Sequence, residues 1–166
     1  MQVFASTLDD NIYMSDIFYC INLSVFAERL SELLFETNLN PPKLSKIIGC
    51  GRATINRYTL GNKMPTVDML VKIADYFQCT TDYLLGLEDE NYSQTFNACP
   101  PFKIRLPQLL NHYGITRYKL QKESGISEST FYYWANGITT PTLEKLVKIA
   151  QVLKCTLDFV IGRTKS

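Results

Sequence analysis

The sequence predicts an all-α protein built from two tandem five-helix units. Three observations carry that prediction. First, Phe26 to Leu87 aligns without a gap on Phe102 to Arg163, seventy-six positions later, and a self-match of that kind indicates a duplicated unit of about sixty residues. Second, apolar residues recur at spacings of three and four, the signature of one helix face, and no alternating strand pattern competes with it. Third, turn glycines and capping residues fall at the same places in both copies: Gly49/Gly125, Gly61/Gly137 and Gly86/Gly162, with Thr66/Thr142 and Thr80/Thr156. Other shared residues are Arg29/Arg105, Leu30/Leu106, Leu33/Leu109, Leu34/Leu110, Leu44/Leu120, Thr54/Thr130, Cys79/Cys155 and Asp82/Asp158.

A chain of 166 residues holds one ordinary domain or two small ones, and the repeat decides for two. The boundaries read as an N-terminal extension over 1–23, a first unit over 24–87, a linker over 88–101 and a second unit over 102–166. Units of this size fold alone only with a well-filled apolar core, which the 46% hydrophobic content permits.

Residues 1–23 contain Val3, Phe4, Ile12, Tyr13, Ile17, Phe18 and Tyr19 without a clean period, which leaves three readings open: a segment that covers the first unit, one that meets a partner, or one that is partly disordered. Ser24 suits the N-cap of a first helix through Leu34, with Phe26, Leu30, Leu33 and Leu34 on one face. Pro41-Pro42 suits the first turn of a second helix, where proline costs little; it runs through Leu44 and Ile47-Ile48 and stops at Gly49. A third helix follows from Arg52 to about Leu60, closed by Gly61. Thr66 caps a fourth, with Asp68 in its first turn and a buried stripe of Leu70, Val71, Ile73, Ala74 and Phe77. Thr80 caps a short fifth helix with Tyr83, Leu84 and Leu85 inward, ending at Gly86. Glu88 to Pro101 is acidic, polar and proline-terminated, a flexible linker of about fourteen residues with an end-to-end distance near 20 Å. The second unit replays the order over Phe102–Tyr113, Thr116–Ser124, Glu128–Asn136, Thr142–Leu153 and Thr156–Ile161.

The net charge of +1 hides an uneven distribution. Residues 1–25 carry Asp9, Asp10 and Asp16 and no base, and the linker carries Glu88, Asp89 and Glu90. The first unit is near balance, whereas the second sets Lys103, Arg105, Arg117, Lys119, Lys122, Lys145, Lys148, Lys154, Arg163 and Lys165 against four acids. Only the repeats therefore offer a surface to a polyanion, the second more strongly.

The five cysteines, Cys20, Cys50, Cys79, Cys99 and Cys155, have no close pairs, and His112 is the sole histidine. Zinc needs thiolates or imidazoles a few residues apart, so no metal site is expected, and no cofactor motif appears. Cys79 and Cys155 read as buried reduced thiols, which places the chain in a reducing cytosol. No apolar run reaches the length of a membrane span and no signal-peptide pattern opens the chain. His112 has no nucleophile or carboxylate partner in sight, and no phosphate-loop glycine spacing occurs; no catalytic constellation supports an enzyme.

Two short helices meeting at a glycine make the helix-turn-helix pattern. Its spacing has mechanical reasons: glycine takes the left-handed turn conformation, a small residue four positions earlier lets the helices approach, and apolar residues six and nine positions later anchor the second helix. Here those are Ser45, Gly49, Ile55 and Tyr58, then Gln121, Gly125, Phe131 and Trp134; Gln121 stands where a small residue is usual. Positions 52, 53, 56 and 57, and 128, 129, 132 and 133, are left facing outward.

Both repeats resemble the lambda-repressor and Cro-like helix-turn-helix family of bacterial and phage regulators. The carriers are Leu44, Gly49, Gly51, Thr54-Ile55, Gly61, Pro65-Thr66, Leu70 and Ile73-Ala74. In the second unit they are Leu120, Gly125 through Phe131, Trp134, Asn136-Gly137, Pro141-Thr142, Leu146, Ile149-Ala150 and the closing Leu157 to Gly162. The resemblance implies sequence-specific binding to double-stranded DNA, with the third helix in the major groove and the start of the second on a phosphate.

Carried over residue by residue, Arg52, Ala53, Asn56 and Arg57 would face the bases. Asn bonds bidentately to adenine and Arg to guanine, each worth about 1–3 kcal/mol of discrimination; Arg57 suits a phosphate equally well. Pro41 stands where the family places a phosphate-binding Gln, so Lys43 or Lys46 would replace that clamp. In the second unit Arg117 takes the clamp position, and Ser127, Ser129, Tyr132 and Tyr133 are the contact candidates beside Glu128, which repels phosphate. The resemblance thus implies a transcriptional regulator, a repressor by preference, whose second half-site reader is supplied in cis. The alternative is a protein-interaction module with one or both units degenerate for DNA binding, antitoxin-like or a phage regulatory partner, which self-associates or docks on another protein through the Tyr132-Tyr133 face or the N-terminal extension.

Overall fold

The computed structural model describes residues 21–91 and 95–164, so the readings made for residues 1–20 and for Lys165 lie outside it. Every regular element among the described residues is helical. In the first unit these are α1 (Leu23–Glu36), α2 (Pro41–Ile48), α3 (Arg52–Thr59), α4 (Val67–Phe77) and α5 (Thr81–Leu85). In the second they are α6 (Phe102–Tyr113), α7 (Arg117–Ser124), α8 (Glu128–Ala135), α9 (Leu143–Leu153) and α10 (Leu157–Ile161). The fold class is the one read from the sequence.

Local chemistry explains most boundaries. Thr66, Thr80, Thr116, Ser127 and Thr156 each accept a backbone N–H through their side chains at helix starts. Gly49, Gly86, Gly125 and Gly162 close helices in the left-handed conformation, and the equivalent non-glycine residues Gln78 and Lys154 do the same for α4 and α9. One start differs from expectation. α1 begins at Leu23 and is capped by Asn22, whose Oδ1 accepts from the amide and hydroxyl of Ser24. The cap lies two residues before the predicted Ser24, because the Asn22 carboxamide oxygen reaches an amide of the first turn that would otherwise lack a partner.

Each unit buries its own aromatic and aliphatic centre. Phe26, Leu30, Leu44, Ile55, Leu70 and Ile73 have no exposed surface, and neither have Leu109, Leu120, Phe131, Ile149 and Leu157 in the second unit. A fully buried side chain of this kind contributes roughly 1.5–3 kcal/mol. Phe26 meets Tyr58 edge-on at 5.9 Å, and their equivalents Phe102 and Trp134 repeat the geometry at 5.4 Å. Tyr83 is only half-buried, contrary to the expected inward position; Arg29 lies over its ring at 4.5 Å and donates to its hydroxyl. Arg105 stacks on Phe159 in the same way at 4.8 Å. The shared arginines of the repeat are therefore packing residues.

The two units meet at α5 and α10. Thr81 donates its backbone N–H to Asp158 Oδ2 at 2.8 Å, and Leu157 donates its own to Asp82 Oδ1 at 2.8 Å. Thr81 is equivalent to Leu157 and Asp82 to Asp158, so the contact is reciprocal, as across the two-fold axis of an isologous dimer. A third bond joins the Asp158 amide to Asp82 Oδ2 at 3.1 Å. Each carboxylate satisfies amide donors left free by the other unit's helix start, where negative charge is favoured. A cleft of about 1400 Å³ opens between α4 and α9, lined by equivalent residues such as Val67/Leu143 and Val71/Val147.

Two features of the structure depart from the sequence expectation. The linker is not a free tether over its whole length: Asn97 donates its amide to Arg163 O at 2.8 Å, and Phe96 lies under the Arg163 guanidinium at 3.7 Å. Arg163, counted above as a basic surface residue, has no exposed surface. It is ion-paired with Asp158 at 2.9 Å and with Asp75 at 2.8 Å. Arg105 is likewise turned inward onto the carbonyls of Phe159 and Val160. The second unit's basic excess is smaller at its surface than in its composition.

Burial pushes the Asp82 carboxyl up to about 6, with Asp158 adding repulsion and the amides of Leu157 and Asp158 pulling the other way. An acid whose folded value lies above its unfolded one binds its proton more tightly when folded. Stability from this group is therefore fully present below about pH 4 and falls as pH rises through about 6, by on the order of 3 kcal/mol. Urea midpoints of the wild type and Asp82→Asn, compared at pH 5 and pH 7.5, should show a larger drop with rising pH in the wild type. Parallel drops in the two proteins would dismiss the assignment.

Candidate nucleic-acid interface

The hinge between α2 and α3 is built as the spacing requires. Gly49 sits at φ +70 with its N–H on Ser45 O, and the amide of Cys50 also bonds Ser45 O at 2.9 Å. Ser45 is buried, its hydroxyl donating to Pro42 O, so α2 and α3 approach closely. Behind α3, Ile55 and Tyr58 are buried. That anchoring turns Arg52, Ala53 and Arg57 out as exposed residues, with Asn56 half-buried beside them.

The second hinge has Gly125 at φ +66, its amide on Gln121 O. Phe131 and Trp134 anchor α8, their rings 5.1 Å apart, and Lys145 lies 5.8 Å above Trp134. Gln121 is half-buried, and its Nε2 is buried with no hydrogen-bond partner. A small residue there would leave no amide to satisfy, which is the local cost of departing from the pattern. Ser129, Tyr132 and Tyr133 are exposed, the two tyrosine rings 5.9 Å apart. Ser127 is also exposed, but its hydroxyl is engaged as the α8 cap, bonding the Thr130 amide, Thr130 Oγ1 and Ser129 Oγ.

The starts of α2 and α7 differ as their sequences do. Asn40 caps α2 by accepting from the amide of Lys43, and Pro41 and Pro42 contribute no donor, so the exposed Lys43 side chain is what remains to meet an anion. At α7, Thr116 caps the helix through the Lys119 amide, and Arg117, its first residue, is exposed. Lys119 is partly occupied by Glu123 at 3.9 Å.

The structure thus brings the candidates into two separate groups. Arg52, Ala53, Asn56 and Arg57 lie on α3, with Lys43 on the preceding helix. Ser127, Ser129, Tyr132 and Tyr133 lie on and before α8, with Arg117 on the preceding helix. Tyr118, 72% exposed at the start of α7, is not among the residues that the sequence pattern singles out, although its place beside Arg117 is a signal for it. His112 rests on the rings of Tyr113 and Phe159 at 4.9 and 5.1 Å. Among the described residues no group of three or more His, Cys, Asp or Glu side chains has metal-site geometry, and no helix is long and apolar enough to cross a membrane. Cys50, Cys79, Cys99 and Cys155 are free thiols. Burial pushes Cys79 up to about 12 and raises Cys155, which is only half-buried.

A helix-turn-helix family model matches residues 43–84 and 108–160, more than half of the chain. An uncharacterized HTH-type transcriptional regulator of Bacillus subtilis (strain 168), YobD, is 30% identical over 66 residues, covering 40% of this chain. The chain spans 59% of that relative's length. No solved structure matches it significantly.

The division between anchors and exposed face can be measured without a ligand. Phe131→Ala empties a fully buried site and should cost about 3–5 kcal/mol, whereas Arg52→Ala should stay within about 0.5 kcal/mol. Chemical denaturation reads both, and a large loss for Arg52→Ala would contradict the exposed position given to it.

Proposed function

We propose, since this chain belongs to the helix-turn-helix family of lambda-repressor and Cro type, that it is a sequence-specific double-stranded DNA-binding transcriptional regulator. The observation that carries the reading is α3: a short helix anchored by Ile55 and Tyr58 that presents Arg52, Ala53 and Arg57 outward, with Asn56 half-buried beside them. The N-terminal half of such a helix fits the major groove, where Arg and Asn read guanine and adenine edges. Lys43 supplies a phosphate contact in place of the donors that Pro41 and Pro42 lack.

The second unit reads a different half-site. Tyr132 and Tyr133 pack on thymine methyls or donate to phosphate, Ser129 meets a base edge, and Arg117 holds the backbone. Ser127 acts through the helix cap that fixes the direction of α8. One chain then covers an operator with two unlike half-sites, and the most direct regulatory consequence of occupying it is repression.

A second reading keeps the fold but directs α8 to a protein partner. Tyr118, Tyr132 and Tyr133, 72%, 54% and 44% exposed, favour it, as does the adjacent Glu128; exposed tyrosines are enriched in interfaces.

Salt dependence on random duplex separates the two. With four to six phosphate contacts, affinity should fall about 10²–10³-fold between 50 and 200 mM salt; no binding at low salt would favour the protein partner. Selection from a random pool should then show Asn56→Ala relaxing one half-site and Tyr133→Ala the other. Unchanged selected sites in both variants would cancel the residue assignments.

A further inference from the structure

Arg163 has no exposed surface, and its contacts cross the boundary between the units. Nη1 donates to Asp158 Oδ1 in its own unit and to Cys79 O in the other, both at 2.9 Å. Nε donates to Asp75 Oδ1 at 2.9 Å, at the end of α4. The guanidinium lies on the Phe96 ring at 3.7 Å, and the Arg163 carbonyl accepts the Asn97 amide at 2.8 Å. One residue thus ties together α10, α4, the loop before α5 and the connecting segment. A planar fork with donors in several fixed directions can do this, and a lysine cannot.

The repeat makes the arrangement one-sided. The equivalent of Arg163 in the first unit is Leu87, and the equivalent of Asp75 is Gln151. The Asp82–Asp158 exchange is reciprocal, but this second set of bonds exists in one direction only. It therefore serves something that the duplicated scaffold does not itself require.

We infer that Arg163 is a positioning residue for DNA recognition, locking α10 onto α4 so that α3 and α8 keep one fixed separation. The inference rests on the DNA-binding reading given above. Two readers joined by a free tether tolerate many spacings, because loop-closure cost changes slowly with length. Two readers held as one body accept a single spacing. Each inserted base pair turns one half-site by about 35° around the duplex, and about five insertions carry it to the opposite side. Arg163 acts through α10 and α4, which it holds together.

The test uses the full chain and duplexes carrying the half-sites selected by the wild type, at native spacing and with five base pairs inserted. Wild-type affinity should fall on the order of 100-fold on insertion, because only one unit can then engage. Arg163→Leu, which installs the first unit's own residue, should shrink that penalty to less than about tenfold. Asp75→Gln, which installs the second unit's own residue, removes the ion pair of the lock from an exposed position while the Cys79 contact stays, and guards against misfolding of the first variant. Hydrogen exchange at the Thr81 and Leu157 amides, followed without DNA, should quicken about tenfold in both variants while the Ile55 and Phe131 amides stay unchanged. A spacing penalty equal to the wild type's in both variants overturns the inference, as does unchanged exchange at Thr81 and Leu157. Wild-type protein that binds no duplex would instead defeat the DNA reading, and the exchange measurements would still report the lock by themselves.

Discussion

Two helix starts face each other across the middle of this protein, and each is completed by a carboxylate from the other. Asp82 accepts from the amides of Leu157 and Asp158, and Asp158 accepts from that of Thr81. Two carboxylates at close quarters in a buried place would ordinarily repel one another out of contact. They are retained because each meets amide dipoles that have no partner in their own five-residue helices, and because Arg163 supplies the compensating positive charge. The placement of the larger elements follows from that meeting. It sets α4 against α9 across the cleft and draws the connecting segment in beneath Arg163.

Much of the fold is legible in the sequence because duplication makes periodic signals count twice. The turn glycines and the caps Thr66, Thr80, Thr116 and Thr156 mark helix ends to within about a residue, which is as closely as a fraying helix end can be placed. The first helix is the exception, since Asn22 rather than Ser24 caps it. The interface between the units is not legible. Asp82 and Asp158 stand out as shared residues, but a carboxylate at the second position of a short helix usually serves its own helix. Nothing in the linear pattern indicates that it serves another seventy-six residues away. Arg163 escapes for the same reason: charge counting treats an arginine as surface until its partners, Asp75 and the Cys79 carbonyl, are brought to it by the fold.

The candidate site divides similarly. Positions facing outward on α3 and α8 follow from where the anchors Ile55, Tyr58, Phe131 and Trp134 must go, and those are set by spacing. What surrounds the positions is less readable. In the sequence Ser127 reads as a contact candidate, and in the fold it is a helix cap; Gln121 stands where a small residue is usual and carries an unsatisfied amide as its consequence. Both depend on side-chain direction, which a one-dimensional pattern does not specify.

The unlike pair Leu87 and Arg163 also bears on how such a chain can change. Two identical copies can exchange roles, and either can be lost while the survivor pairs with a sister molecule. Once one copy carries the arginine and the other carries its acceptors, a subunit made of either half alone has only part of the lock. Divergence of that kind works as a ratchet: once the arginine and its acceptors stand in different copies, each half depends on the other for a complete set of bonds.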